Sequence, residues 1–403
     1  MTFYQERTFF GKGIIQLAEK AYITPKILRW ARESAKMTLE NAASKVNKTA
    51  EQLNAWEEGS EYPTIKQAEK LAKAYKRPFA LFFLPEVPND FQPLQDFRKS
   101  DSKELTTGSI FIIREIQQKQ NWLSEVMEES GEHKLSFIGK YSLQNSPEEV
   151  AGDILTTLEI SRNFSGQGSL VKYWVDQIEA KGIFVSRTSF IHSRLLLDKD
   201  ELQGFVIADL YAPFLFVNSQ DWDAPQLFTL IHELAHLWIA ETGISNDVEI
   251  DSKNSNPIER FCNEVAANVL MPKDLIRSID TQIYSNSKSV FKAAKLLGVS
   301  SFAFIVRALN LSLISMSQYQ TLKTQAQKDF NEFLIREEEK KQKAKQKEGG
   351  PNPYLLRVNK NSRSFTQYVL DAFRGGNIEP TQASTLLNTS INNFQKLELQ
   401  IYK

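Results

Sequence analysis

Apolar and polar positions follow two different rhythms along this chain. From Ile23 to Leu84 the apolar residues recur three or four positions apart in short bursts split by polar turns, which predicts a series of short amphipathic helices. A first helix runs from Pro25 to Ser34, with Ile27, Leu28 and Ala31 inward. Thr38 caps a second, Leu39 to Lys45. Val46-Asn47-Lys48 is a tight turn. Thr49 caps a third helix, Ala50 to Glu57, with Leu53 and Trp56 inward, and Gly59 stops it. Ile65 to Tyr75 is a fourth helix and Pro78 to Phe83 a fifth. Two short helices around a tight turn, inside a small all-helical unit, describe a helix-turn-helix. Phe79 to Leu84 is too apolar to lie free and is expected to pack this unit onto the next part of the chain.

Pro85, Pro88 and Pro93 mark an extended linker. Long helical patterns then cover Glu104 to Glu129, Pro147 to Leu158 (capped by Ser146) and Leu170 to Lys181. The rhythm changes at Gly182 to Arg187, Phe205 to Ala208 and Phe214 to Val217, which read as strands. Phe228 to Ile239 is apolar nearly all round, as for a helix buried in a core. After Pro272 the pattern is helical again, with Val290 to Leu297 and Ser300 to Leu313 expected to pack behind the core. Arg336 to Glu348 has no apolar face and reads as a solvated helix end or linker, broken by Gly349-Gly350-Pro351. Phe365 to Phe373, Pro380 to Leu387 and Ile391 to Leu399 are small amphipathic helices, a compact unit or a partner-binding arm. The expected divisions are residues 1–84, a linker 85–100, a core domain 101–335, a charged linker 336–352 and a helical unit 353–403.

Charge narrows the functional classes. Lys and Arg number 49 and Asp and Glu 49, so the chain is not a general polyanion binder, and any nucleic-acid contact needs a local patch. Between Ile23 and Arg77 there are eleven Lys and Arg against seven Glu, a small local excess. Cys262 is the single cysteine, which allows no internal disulfide and fits a reducing cytoplasm. The N-terminus has no apolar signal core, and no apolar run approaches the roughly 20 residues a membrane span needs. A cytoplasmic protein without a membrane partner is expected.

The candidate chemistry lies in His232-Glu233-Leu234-Ala235-His236. Positions i and i+4 share one helix face, so the two imidazoles can reach one metal ion, and Glu233 can project toward a metal-bound water. Two of the four histidines form this pair. A third ligand is expected in the segment Pro257 to Pro272. Glu259 and Glu264 both compete for the role, and five positions apart they cannot point the same way; Glu259 is favoured because it lies beside the packed side of its helix. Asn263, one turn after Glu259, could hydrogen-bond the outer nitrogen of a ligand histidine. Three protein ligands leave a position for water, the mark of a catalytic zinc site. Cys262 could be a fourth ligand, but a small buried hydrophobe is the plainer reading.

The run from Gly204 to Pro272 resembles the ImmA/IrrE metallopeptidases. The resemblance rests on Gly204 to Asp209, Ala212 to Asn218, Phe228 to His236, and Ile258 to Asn263 leading to Leu270-Met271-Pro272. It implies a mainly α protein with a small α+β zincin-like core, zinc held by His232, His236 and Glu259, and Glu233 as the base. Cys262 and Val265 depart from the commoner family pattern. The resemblance also implies an edge strand that pairs with substrate, here Ala212 to Val217 or its neighbour; His192 and Tyr211 are candidate oxyanion stabilisers. The first unit, five helices in all, is similar to the Xre/Cro-type DNA-binding domain on Thr38 to Glu40, Ala42-Ala43, Thr49 to Gly59, Pro63-Thr64 and Leu71-Ala72. Lys48, Thr49, Glu51, Gln52 and Asn54 would then face DNA, although Glu51, Glu57 and Glu58 repel phosphate and a protein-binding module is the competing reading. Asp96-Phe97-Arg98 recurs at this place in proteins joining the two domains; beyond a local ion pair it suggests no chemistry. The resulting expectation is a zinc endopeptidase that cleaves a repressor-like regulatory protein. The alternative is a DNA-binding regulator or antitoxin whose zinc fold senses a partner, such as a toxin, and cuts nothing.

Overall fold

A computed structural model describes residues 19–88, 94–97, 103–161, 169–192, 195–245, 256–344 and 352–401. The chain forms two compact units, Met1–Asp90 and Phe91–Lys403.

The first unit contains α1 (Pro25–Ser34), α2 (Leu39–Ser44), α3 (Ala50–Glu58) and α4 (Ile65–Ala74). Thr38, Thr49 and Thr64 each cap their helix through the side-chain oxygen, and Thr49 and Thr64 form reciprocal capping boxes with Gln52 and Gln67. Gly59 ends α3 at φ 79°, a left-handed conformation that glycine adopts without strain. Ile27, Leu28, Ala31, Leu53 and Trp56 are buried as their spacing predicts. The fifth helix is a single 3-10 turn, Phe79–Phe83. It folds back on its own unit: Phe82 is buried against Tyr75, and the Thr24 amide donates to the Phe82 carbonyl over 2.8 Å. Glu57 also differs from expectation. Its carboxylate is buried against Arg32, with contacts of 2.7 and 2.9 Å, and so does not add negative charge to the outer face of α3.

The second unit is built on a five-stranded mixed sheet. Its strands are β1 (Gln95–Asp96), β2 (Phe184–Thr188), β5 (Gly204–Ile207), β6 (Phe214–Asn218) and β7 (Gly243–Ser245), in the order β1-β7-β5-β6-β2. A separate hairpin joins β3 (Phe190–His192) to β4 (Leu195–Leu196). The helices are α5 (Thr107–Glu129), α6 (Pro147–Thr157), α7 (Leu170–Glu179), α8 (Asp223–Trp238), α9 (Pro257–Leu270), α10 (Lys273–Ser278), α11 (Ser287–Leu296), α12 (Ser301–Asn310), α13 (Met316–Ala344), α14 (Pro353–Asn361), α15 (Arg363–Arg374), α16 (Pro380–Leu386) and α17 (Phe394–Ile401). The last ten residues of α8, Thr229 to Trp238, are all buried, and α8 packs with α6, α7, α9 and the sheet around one apolar core. Such a helix cannot be placed by amphipathicity, because every face meets protein.

One feature corrects the sequence reading and two decide between its alternatives. β6 is an interior strand, paired with β2 on one side and β5 on the other, so Ala212 to Val217 cannot accept a further strand. The charged stretch after Arg336 is, as far as residue 344, the end of the 29-residue helix α13. Helices α14 to α17 also do not form a free arm. α14 lies on β2, where the Ser186 hydroxyl donates to the Lys360 carbonyl, and Glu115 links Lys119 and Lys360 at 2.9 Å each in a buried cluster. The Glu179 carboxylate accepts hydrogen bonds from Ser362, Arg363 and Ser364 at the start of α15. Burial raises the Glu179 pKa, and these donors pull against it.

Candidate metal centre

α8 and α9 cross beside β7 and bring three donors to one point. His232 and His236 stand one turn apart on α8, and their Nε2 atoms are 3.1 Å apart. The Glu259 carboxylate spans them, with Oε2 3.3 Å from His232 Nε2 and Oε1 3.2 Å from His236 Nε2. All three residues are fully buried. Around a tetrahedral ion with bonds of roughly 2.0–2.1 Å, neighbouring donor atoms stand about 3.3 Å apart. The His232, His236 and Glu259 set can therefore hold a metal ion.

The surrounding groups aim these donors. Asn263 Oδ1 accepts the Nδ1 proton of His232 over 2.9 Å, which leaves His232 Nε2 with its lone pair toward the cluster. Ser245 Oγ donates to Glu259 Oε1 over 3.4 Å and lies 3.4 Å from His236 Nε2. The Phe97 ring stacks on His236, with centroids 5.3 Å apart and planes 14° apart. Burial alone would raise the Glu259 pKa, but the two imidazoles beside it outweigh that and hold it down at about 2. Burial is also the main reason the His236 pKa falls.

Glu233 follows His232 on α8, close enough to Glu259 for the two carboxylates to interact. It is fully buried, and among the described residues neither carboxylate oxygen has a close hydrogen-bond partner, the Ser245 hydroxyl giving only a weak contact that lowers its pKa slightly. Burial first, and the Glu259 charge second, raise its pKa well above the ordinary carboxylate range. Its side chain lies over Gly204 of β5, whose missing Cβ makes the space. A buried carboxylate with so little hydrogen bonding is costly in a purely structural element.

Glu264 is exposed on α9, away from the two histidines, while Glu259 converges on them. Cys262 is buried and its pKa is pushed up, first by burial and then by Glu259 and Glu233, so it stays a thiol. Tyr211 stands beyond the Ile207 end of β5, far from Gly204, with Lys134 over its ring. His192 ends β3, and its side chain is outside the described residues, as is Arg98. Ser245 carries no signal in the sequence, since Gly243-Ile244-Ser245 is too short a run to mark a strand. Phe97 is visible there only as part of a triplet without assigned chemistry.

On α3, Thr49 and Gln52 are exposed while Lys48 and Asn54 are half-buried, all near the N-terminal part of the helix. Thr49 and Gln52 also hold each other in the capping box, and Asn54 donates to Glu58 over 2.8 Å.

Comparison with known families finds one match in each of the two units. Residues 178–309 match the peptidase family described as the IrrE N-terminal-like domain. Residues 28–82 match the helix-turn-helix family. The chain therefore carries an Xre-type helix-turn-helix domain over residues 28–82 and an IrrE-like peptidase domain over residues 178–309. No curated protein matches the chain. Among the described residues no single helix is long and apolar enough to cross a membrane; the pair α11 and α12 reaches that composition only together, bent by 96°.

Proposed function

We propose that this protein is a cytoplasmic zinc-dependent endopeptidase that cleaves a specific repressor-like regulatory protein. The carrying observation is Glu233, a fully buried carboxylate next to His232 that feels the charge of Glu259 and has no close hydrogen-bond partner among the described residues. His232, His236 and Glu259 would hold the ion, and Asn263 and Ser245 would keep His232 and Glu259 in orientation. A bound zinc ion supplies a Lewis acid that polarises a peptide carbonyl and acidifies water. Glu233 would take the proton of the attacking water and pass it to the leaving amine. On the other unit, Lys48, Thr49, Gln52 and Asn54 would meet double-stranded DNA through α3. This arrangement fits a domain division in which residues 1–84 address DNA and 101–335 carry the chemistry, with 353–403 completing that core.

One observation favours the second reading, a DNA-binding regulator or antitoxin that senses a partner, such as a toxin, without proteolysis. The histidines, Glu233 and Glu259 are all fully buried, so a substrate reaches them only if the site opens.

Elemental analysis of purified wild type, His232→Ala, Glu259→Ala and Glu264→Ala tests the metal site. One zinc per chain is expected in wild type and Glu264→Ala and none in the other two. Glu233→Gln separates the readings: it should retain zinc and lose cleavage, whereas unchanged regulation in cells carrying Glu233→Gln would favour the sensor.

A further inference from the structure

We propose that the outer edge of β7, together with the face of His236 beside it, is a binding site for an extended peptide carrying an aromatic side chain, and that this chain's own residues 95–97 fill it as a removable strap. The inference deepens the peptidase reading, on which the identity of the site rests.

β1 is two residues long and lies at the end of the sheet. It runs parallel to β7, with Gln95 opposite Gly243 and Asp96 opposite Ile244, and the Phe97 amide donates to the Ile244 carbonyl over 3.0 Å. Gln95 and Asp96 are exposed. Phe97 is 2% exposed and is the anchor of the strap. Its seat is built from two sides. His236 forms one wall by stacking, and Gly243 forms the other by having no side chain: a Cβ there would lie 2.2 Å from Phe97 Cε2. Ser245, two residues along the same strand, touches Glu259 and His236. The strap therefore lies on the strand that borders the metal ligands and covers one of them.

This is strand addition to a sheet edge, in which main-chain hydrogen bonds give affinity and a side-chain pocket gives selectivity. A two-residue strand has few such bonds, so it belongs among the elements that open at least cost. The occupant that displaces it must offer the same chemistry: an extended backbone and one aromatic ring. Departure of Phe97 uncovers the face of His236 and gives the buried site a way in.

The test uses the full chain as wild type, Phe97→Ala and Gly243→Ala, with folding checked by circular dichroism. Phe97→Ala empties the seat, while Gly243→Ala evicts the ring by a clash and blocks the seat. After zinc loading, loss of zinc to a coloured chelator should be about ten-fold faster in both variants, given what one stacked, buried aromatic contributes. A fluorescent synthetic peptide copying residues 92–99 should bind Phe97→Ala, bind wild type more weakly, and fail to bind Gly243→Ala. The same peptide with alanine in place of its phenylalanine should bind none of them. Equal zinc loss in all three folded proteins, or peptide binding that ignores Gly243→Ala, would overturn the strap. The peptide arm needs neither metal nor turnover. A strap that behaves as expected in a protein that cleaves nothing would leave this inference standing and remove the peptidase reading.

Discussion

Gly204 and Glu233 meet across the contact between β5 and α8: a Cβ at Gly204 would lie 2.6 Å from Glu233 Oε1 and 2.7 Å from Thr229 Cγ2. The sheet thus sets the position of the carboxylate by what it lacks. Gly204→Ala should push Glu233 aside while leaving the three donors in place. Loss of zinc content is not expected, overpacking should cost about 1–3 kcal/mol in urea unfolding, and turnover of any cleaved substrate should fall by roughly 100-fold. Unchanged turnover in a folded Gly204→Ala protein would mean that Glu233 does not act from this position.

Asn263 holds His232 by a single buried hydrogen bond. Asn263→Ala removes the acceptor that keeps the His232 Nδ1 proton in place. Zinc affinity, measured by competition with a chelator, should fall about 10- to 100-fold, as for other partners of ligand histidines. Glu264→Ala serves as the control on the same helix and should match wild type.

The far end of α8 is tied to α6 by a carboxylate. Asp153 accepts from the Trp238 indole nitrogen over 2.8 Å and pairs with Lys140 at 2.6 Å. Burial pushes the Asp153 pKa up, but the Lys140 and Trp238 contacts win and its pKa ends below the ordinary value of 3.8. The unfolded chain then binds the proton more readily than the folded one. The stabilisation is present above about pH 4 and disappears as pH falls through the lowered folded value. Asp153→Asn should therefore be less stable than wild type at pH 7 by about 1.5–3 kcal/mol. That gap in urea unfolding should close as the pH is lowered below about 4. A gap that stays constant with pH would assign the effect to packing instead.

Glu115 is the hinge of the cluster between α5 and α14. It receives Lys119 and Lys360, both buried, and the Asn388 amide. Glu115→Ala removes the carboxylate shared by two buried ammonium groups, which also touch Asn361 Oδ1 and the Ile191 carbonyl. A loss of about 3–5 kcal/mol is expected from breaking such an arrangement. Limited proteolysis should then release the segment from residue 352 onward sooner than in wild type, because β2 and the end of α14 share these contacts.

Local signals carried much of this molecule. Thr38, Thr49 and Gly59 mark helix ends by chemistry that acts within a few residues, so α2 and α3 were legible before any tertiary contact was known. The spacing of His232 and His236 was legible for the same reason: four positions on a helix make one face. Longer-range contacts were not encoded in spacing. Whether Glu259 or Glu264 joins the histidines depends on how α9 is rotated against α8, and only packing in the core sets that angle. The short strands β1 and β7 carry no period to read, because two or three residues of backbone pairing leave no pattern. β6 looked like a free edge until β2 was seen beside it.

The sequence by itself determined that α3 would begin after a capped turn, that His232 and His236 would share a face, and that the chain would join a helical unit to a mixed core. These features arise from backbone chemistry acting over one or two helical turns. Only the tertiary structure decided that Glu259 closes the donor set, that Gly204 makes room for Glu233, and that Phe97, 139 positions before His236 in the chain, lies on its ring. Those relations come from segments distant in sequence that become neighbours when apolar surface is removed from water. No local rule predicts which of many apolar segments will meet.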